Sequence, residues 1–559
     1  MKRKLLILLL LFVAVTGKTQ ERKYFSLFTD RDLYTSGETL LFKIFGPENE
    51  SAGIVHIDLL NTSGKKIVEI NKKITDQQTD GFIYLPDSLS TGCYLLCTSA
   101  RNNPTLTFNE IYICNRFTGI PEGGSATRSS DIRTVTEKPV NDLEIEGIDK
   151  IRQTRSKVQA TIHLPGKLLS RIKGNLSVSV AETTLGYNSG SFVKSLKPKK
   201  DQLIEKDGII LEGFVKDLKT GEPFKNGIVF LSIPDSIPRF NFYKTGADGY
   251  FNFQFDNYYG NIPVVIQGLD PEKKRLLKIV LNHPDSIPAA ISSFENWTVS
   301  TELRKIAAQN IEALTFSKIF NQQEITIQSG SRPKAEAYPF YGVPTSVVDP
   351  HPFIDLPDFT EISRELLPGV KFRAYNRIPS LQVLNSAMRT YFEKAPLLLI
   401  DGIPIHDLNI IKTLGSKDID RVEICLSERF YGDLAFQGVV AIYTSKSNFS
   451  RIAESDELIK FNLDVNQPAA ILIIPSEKLQ NEPDFRKVLL WKPSQKPEET
   501  VRLDFQTSDI RGNFKLIVRG TTSDGSVFYK EQIFILGRMG NTNFALAMII
   551  EKLEDVTQV

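Results

Sequence analysis

Residues 396–405 read PLLLIDGIPI, and residues 418–445 read DIDRVEICLSERFYGDLAFQGVVAIYTS. The apolar run Leu397–Ile400 reads as a strand and stops at Asp401-Gly402, a carboxylate beside a residue free to take positive φ, which signals a turn. Pro404 follows in that turn. A short helix is expected next, then a second strand that begins Asp418-Ile419-Asp420-Arg421-Val422-Glu423. Tyr431-Gly432 and Gly438 bracket a glycine-bearing loop, from which Val439-Val440-Ala441-Ile442-Tyr443-Thr444 returns as a third strand. Strands mixed with short helices predict a small α+β unit.

In this order the Asp401-Gly402 turn, the Asp418–Glu423 strand start and the Tyr431–Thr444 return resemble the plug domain of TonB-dependent outer-membrane receptors. Residues 365–370, ELLPGV, resemble the opening of the same family, so the plug-like domain is placed at 350–447. Asp358 and Glu361 set a capping box for a short helix near its start. The resemblance implies structural roles for Asp401, Gly402, Pro404, Asp418, Val422, Glu423, Tyr431, Gly432 and Gly438. About a hundred residues follow that domain. A ligand-gated barrel of ~22 strands at ~10 residues each needs several hundred. By itself the chain is therefore expected not to be a transporter.

The 559 residues suit roughly three to five domains. A hydrophobic content of 41% and a charged content of 24% argue against extensive disorder. A net charge of +2 gives no electrostatic footprint for nucleic acid. Lys2-Arg3-Lys4, the apolar residues 5–15 and the polar stretch to Gln20 form a secretory signal, expected to occupy residues 1–20. The chain is thus expected to be exported, periplasmic or outer-membrane-associated. No later run of eighteen apolar residues predicts a transmembrane helix. Four cysteines remain, Cys93, Cys97, Cys114 and Cys425. Cys97 and Cys114 flank an expected hairpin and are the pair for a disulfide; the other reading is four small buried apolar side chains.

The rest of the chain reads as β modules, so the fold class is mainly β and multi-domain, with tandem macroglobulin/Ig-like sandwiches around the α+β unit. Residues 21–116 carry short strands between turns, and Asp30, Arg31, Tyr34, Gly37 and Glu38 resemble the macroglobulin-like β-sandwich. Residues 117–141 read as a linker, and 142–207 as a second macroglobulin-like module in which 157–162 and 176–180 alternate strictly. In 208–285, Thr220, Gly221, Pro223, Asp248, Gly249 and Phe251 resemble the carboxypeptidase-regulatory-like sandwich. One acidic side chain, Asp248, does not make a calcium site. Residues 286–349 read as a helical connector, with Leu303, Ile306, Ala307 and Leu314 on one stripe and Asn310 interrupting it. Residues 455–540 read as an Ig-like sandwich, with 544–550 as its closing strand.

The histidines, His56, His163, His283, His351 and His406, fall in no shared motif, and no HExxH, CxxC, GxSxG or phosphate-loop pattern occurs. Asp248, Asp355, Asp358, Glu361 and Asp401 suit turn and cap roles. His406-Asp407 is the nearest thing to a dyad, but adjacent residues in an extended segment point apart. A macroglobulin thioester needs a C-G-E-Q motif, and Cys425 sits instead in Glu423-Ile424-Cys425-Leu426-Ser427. No cofactor, no metal and no catalytic residue are expected. The expectation is a non-catalytic envelope interaction protein with protein partners, an outer-membrane β-barrel among them. An accessory plug for a separately encoded barrel and an anti-protease or structural macroglobulin-like protein are the alternatives.

Overall fold

The computed structural model describes residues 24–537 apart from 48–52, 102, 121–124, 130–137, 185–190, 196–202, 236, 273, 283–293, 321–325, 330–337, 354, 376–377, 446–451, 469, 476–477 and 479–481. The expected signal at 1–20, residues 544–550 and His283 lie outside the described residues. The protein is mainly β. It forms two compact units, one of Met1–Gly208, Ser286–Ser331 and Asn466–Val559, the other of Ile209–Asp285 and Arg332–Val465. Among the described residues no helix is long and apolar enough to cross a membrane.

The first unit opens with a sandwich. One sheet pairs Ser26–Thr29, Thr39–Phe45 and Gln78–Tyr84; the other holds Ile54–Leu60, Lys66–Lys73, Gly92–Ala100 and Asn103–Cys114. Leu40, Phe42, Ile44, Ile57, Leu59 and Leu96 fill the space between them. A second sandwich combines Lys157–His163, Ile172–Glu182, Val488–Gln495, Thr500–Gln506, Gly512–Thr522 and Val527–Leu536. Lys157–His163 pairs antiparallel with Thr500–Gln506, and Ile172–Glu182 lies between Val488–Gln495 and Gly512–Thr522. This corrects the reading of 142–207 and 455–540 as separate modules: each supplies part of one core, with Val158, Ile162 and Val180 packed among Leu503, Leu516 and Val518. Closing so long an excursion adds little entropy beyond closing a short one.

Three further boundaries move. Ser191–Ser195 joins the N-terminal sandwich, on strand Asn103–Cys114. The linker carries a strand, Ser125–Ser129, paired with Phe294–Thr298. Leu458–Asp464 completes the 209–285 sandwich, beside Asn261–Leu269. Helix Thr301–Ile319 buries the expected stripe and Asn310 with it, and Ser300 caps its start by accepting from the Leu303 N–H.

The Cys97–Cys114 pairing fails on register. Cys97 lies opposite Phe108, six positions from Cys114, about 20 Å along the strand at ~3.3 Å per residue. A disulfide needs Cα atoms about 4.4–6.8 Å apart. No disulfide joins any of the four cysteines, and all four are buried.

His56 of the N-terminal sandwich holds Asn71 Oδ1 at 2.6 Å and Glu205 Oε2 at 2.7 Å. Burial lowers its basicity, but the Glu205 carboxylate outweighs that and raises the pKa from 6.5 to about 9. A raised folded-state pKa contributes stability that is full below 6.5 and is lost as pH rises through about 9. The melting temperature is expected to fall between pH 7 and 10, and His56→Gln to flatten that slope; an unchanged slope refutes the pairing.

Candidate functional site

The residues quoted first build one mixed sheet in the second unit, in the order Ser346–Val348, Ile419–Tyr431, Leu434–Thr444, Leu397–Ile400, Ile403–Pro404. Leu397–Ile400 runs parallel to Val439–Ile442, and Ile419–Tyr431 runs antiparallel to Leu434–Thr444. The centre of the sheet is covered on both faces, so Leu397–Ile400 and Val439–Tyr443 are continuously apolar rather than alternating. Leu398, Ile400, Val422, Ile424, Val440 and Ile442 share a core with Val265 and Leu458 of the neighbouring sandwich. Leu397, Leu399, Val439, Ala441 and Tyr443 form the other face with Tyr341. A boundary at 350 therefore removes both the Ser346–Val348 edge strand and Tyr341.

The motif carboxylates are engaged inside the fold. Asp401 is buried at φ +48°, and accepts from the Thr444 N–H (2.8 Å) and the Thr444 hydroxyl (2.7 Å). Asp418 accepts from the Gly415 N–H at 3.1 Å, closing the turn that starts the long strand. Glu423 accepts from the Tyr341 hydroxyl at 2.7 Å and from Arg421 Nε at 2.9 Å. Tyr341 and Tyr443 share a hydrogen bond of 2.9 Å, and the Arg421 guanidinium lies 3.6 Å from the Tyr443 ring centroid. Burial pushes the Tyr341 phenol far above its ordinary range, with the Tyr443 oxygen adding to it. Both hydroxyls therefore stay protonated, as hydrogen-bonding groups.

Of the remaining motif residues, Gly402, Tyr431 and Gly432 meet the 209–285 sandwich. A Cβ on Gly402 (φ +84°) would sit 2.2 Å from Pro238 Cβ, and one on Gly432 3.0 Å from the Phe242 ring. The Tyr431 hydroxyl donates to the Phe240 carbonyl at 2.8 Å. Phe240 stacks on Phe340 at 4.4 Å, and Tyr431 meets both rings edge-on or tilted. Gly438 (φ +90°) faces Val383. Pro404 lies opposite Leu399, and Val422 is fully buried. Pro238, Phe240, Phe340 and Tyr341 were not singled out by motif; the aromatic density of residues 338–341, YPFY, was the available signal.

Asp401→Asn keeps an acceptor for the Thr444 N–H and tolerates positive φ, so it is expected to cost about 1 kcal/mol or less. Asp401→Ala, which strands two donors, is expected to cost about 1–3 kcal/mol. Urea unfolding separates the two, and equal costs would contradict the hydrogen-bond role.

In the first unit, Asp30, Arg31, Tyr34 and Glu38 form a buried corner. Tyr34 donates to Asp30 at 2.7 Å, Arg31 Nε contacts Asp30 at 3.0 Å, and Arg31 Nη2 contacts Glu38 at 3.3 Å. Lys487 reaches the other Glu38 oxygen and donates to the Asn310 carbonyl at 3.2 Å. Burial alone would raise Glu38, but Lys487 and Arg31 together hold its carboxyl below the usual range. Burial raises Glu182 beside them.

The other sequence candidates stay apart. Asp407 accepts from the Asn409 N–H at 3.0 Å as a turn cap, and His406 lies against the Phe230 ring. His351 pairs with Asp349 and His163 with Glu146, each at the surface. Asp248 accepts from the Tyr250 N–H in a turn, and Asp358 from the Glu361 N–H as a helix cap. Among the described residues no group of three His, Cys, Asp or Glu could hold a metal ion.

No family model matches the chain, and no curated protein matches it. Solved structures similar to it include Salmonella alpha-2-macroglobulin reacted with methylamine, at 8% identity over 92% of this chain with a TM-score of 0.22. Escherichia coli alpha-2-macroglobulin activated by porcine elastase matches at 10% identity over 92% of this chain, also with a TM-score of 0.22. A tetra-tandem repeat from the extending region of a large adhesion protein matches at 10% identity and a TM-score of 0.12. The chain spans 40% and 44% of the two macroglobulin structures.

Proposed function

We propose that this chain is a non-catalytic, exported interaction protein of the cell envelope, working beside the outer-membrane transport machinery. The observation that carries this reading is the commitment of Asp401, Asp418 and Glu423 to hydrogen bonds inside the fold of their own unit. Carboxylates used in this way shape a scaffold. The same sheet leaves Phe430 71%, Val343 60% and Val347 56% exposed around its long hairpin and edge strand, which suits contact with a protein. Docking on Pro238, Phe240 and Phe242 favours a module that meets its partner on this free side over one that enters a lumen whole.

A photo-reactive phenylalanine analogue at position 430, in cells that make the full chain, tests this reading. The expected result is one discrete adduct with an envelope protein. An outer-membrane β-barrel as the captured protein selects the accessory-plug form of the reading. Captured proteases would instead favour a macroglobulin-like anti-protease role, for which the Asp30–Glu38 corner is the structural support. Recovery of the chain in the cytoplasm removes all three.

A further inference from the structure

Residues 370–395 hold five of Lys and Arg and a single acid, Glu393, whereas the whole chain carries a net charge of only +2. Positive charge is thus concentrated on one small element of the second unit. The stretch folds as an antiparallel sheet of Val370–Tyr375, Ile378–Asn385 and Thr390–Tyr391. Val370, Phe372, Leu381 and Val383 point into the core shared with Leu398 and Val440. Alternation sends their neighbours to the opposite face. Arg373 is exposed there, Ile378 is 72% exposed, and the Lys371 ammonium lies 5.2 Å from the centroid of the exposed Tyr391 ring. Among the described residues no carboxylate pairs with Lys371, Arg373 or Arg389.

The turn after Ile378–Asn385 is fixed by Asn385. Its side chain accepts from the Ala387 N–H at 3.0 Å and the Met388 N–H at 3.2 Å, and its carbonyl accepts from the Arg389 N–H at 2.8 Å. Met388 is left 74% exposed beside the exposed Arg389. Ile378 and Asn385 close the two ends of one strand, about 23 Å apart at ~3.3 Å per residue. The apolar side chains of Ile378 and Met388 therefore stand at opposite ends of the sheet. Between them lie Arg373, opposite Ser380, and Lys371, opposite Gln382. Cations set between apolar side chains match the boundary of a bilayer, where phosphates meet the charges and the apolar groups enter the acyl region. Tyrosine suits the same depth. A soluble polyanion offers no apolar surface to Ile378 and Met388.

We propose that Lys371, Arg373, Ile378, Met388, Arg389 and Tyr391 form a docking face for the surface of an anionic phospholipid membrane. The face uses none of the exposed residues Val343, Val347 and Phe430, and does not rest on the function proposed for them.

Flotation of the full chain with vesicles of phosphatidylcholine alone, and with vesicles that also contain phosphatidylglycerol, tests the face. Binding is expected to the anionic vesicles and to weaken as salt is raised. Lys371→Ser combined with Arg373→Ser is expected to weaken it about thirtyfold, the loss of two surface cations. Ile378→Ser combined with Met388→Ser, at unchanged charge, is expected to weaken it several-fold. Ile378 and Met388 are solvent-exposed, so the second pair leaves the core intact and keeps the test independent of folding. Equal binding to both kinds of vesicle, or binding to the anionic ones that neither pair weakens, overturns the proposal. Absence of binding does the same. Weakening by the first pair alone would identify a soluble polyanion as the ligand and overturn the membrane assignment.

Discussion

Lys487→Met is expected to destabilise the first unit by about 3–5 kcal/mol, the range for removing one partner of a buried ion pair. Lys487 is fully buried, and its ammonium joins Glu38 of the N-terminal sandwich to the Asn310 carbonyl of the Thr301–Ile319 helix. Its own N-terminal neighbour, Arg486, is held by Asp484, so no adjacent cation is free to replace it. Methionine fills much of the volume but leaves Glu38 with Arg31 alone and the Asn310 carbonyl short of a donor. Adding Glu38→Gln should recover part of the loss, since the stranded charge is then gone. Urea midpoints of the two single variants and the double variant check this. A Lys487→Met cost within the ±0.5 kcal/mol or so of an ordinary surface change would show that the corner contributes nothing.

Gly402→Val should cost nearly as much. At φ +84° an L side chain pays about 1–2 kcal/mol in backbone strain. The added Cβ also falls 2.2 Å from Pro238 Cβ, an overlap worth roughly a further 1–3 kcal/mol. Gly438→Val is expected to behave alike, because its Cβ would fall 2.7 Å from Val383 Cγ1. Gly342→Val supplies the control: φ is +76°, but nothing lies within 4 Å of its Cβ, so the strain term alone of about 1–2 kcal/mol remains. Equal losses at 342 and 402 would mean that the contact with Pro238 carries no energy.

These two positions show how far the sequence could be read. A turn at Asp401-Gly402 follows from residue type alone, whereas Pro238 is named by nothing within a hundred residues of it. Alternation at 157–162 and 176–180 identifies strands and their buried faces, but a period of two carries no address for the partner strand. The partners sit beyond residue 487, so two modules were expected where one core exists. Asn310 was visible as a break in an apolar stripe. Its buried side chain hydrogen-bonds Glu182, 128 residues earlier, a partner that belongs to tertiary structure alone. Residues 338–341 carry no periodicity and read as part of the connector, yet irregular backbone can still place aromatic rings in a seam, as Phe340 and Tyr341 do.

The central claim is that Asp401 and its neighbours shape the sheet, and that binding occurs on the exposed hairpin side. The most direct test is photo-crosslinking from position 430 in the Asp401→Asn background, alongside urea unfolding of the same protein. The account predicts an undiminished adduct together with a stability loss of about 1 kcal/mol or less. Loss of the adduct with stability unchanged would make the Asp401 carboxylate a recognition group and contradict the claim.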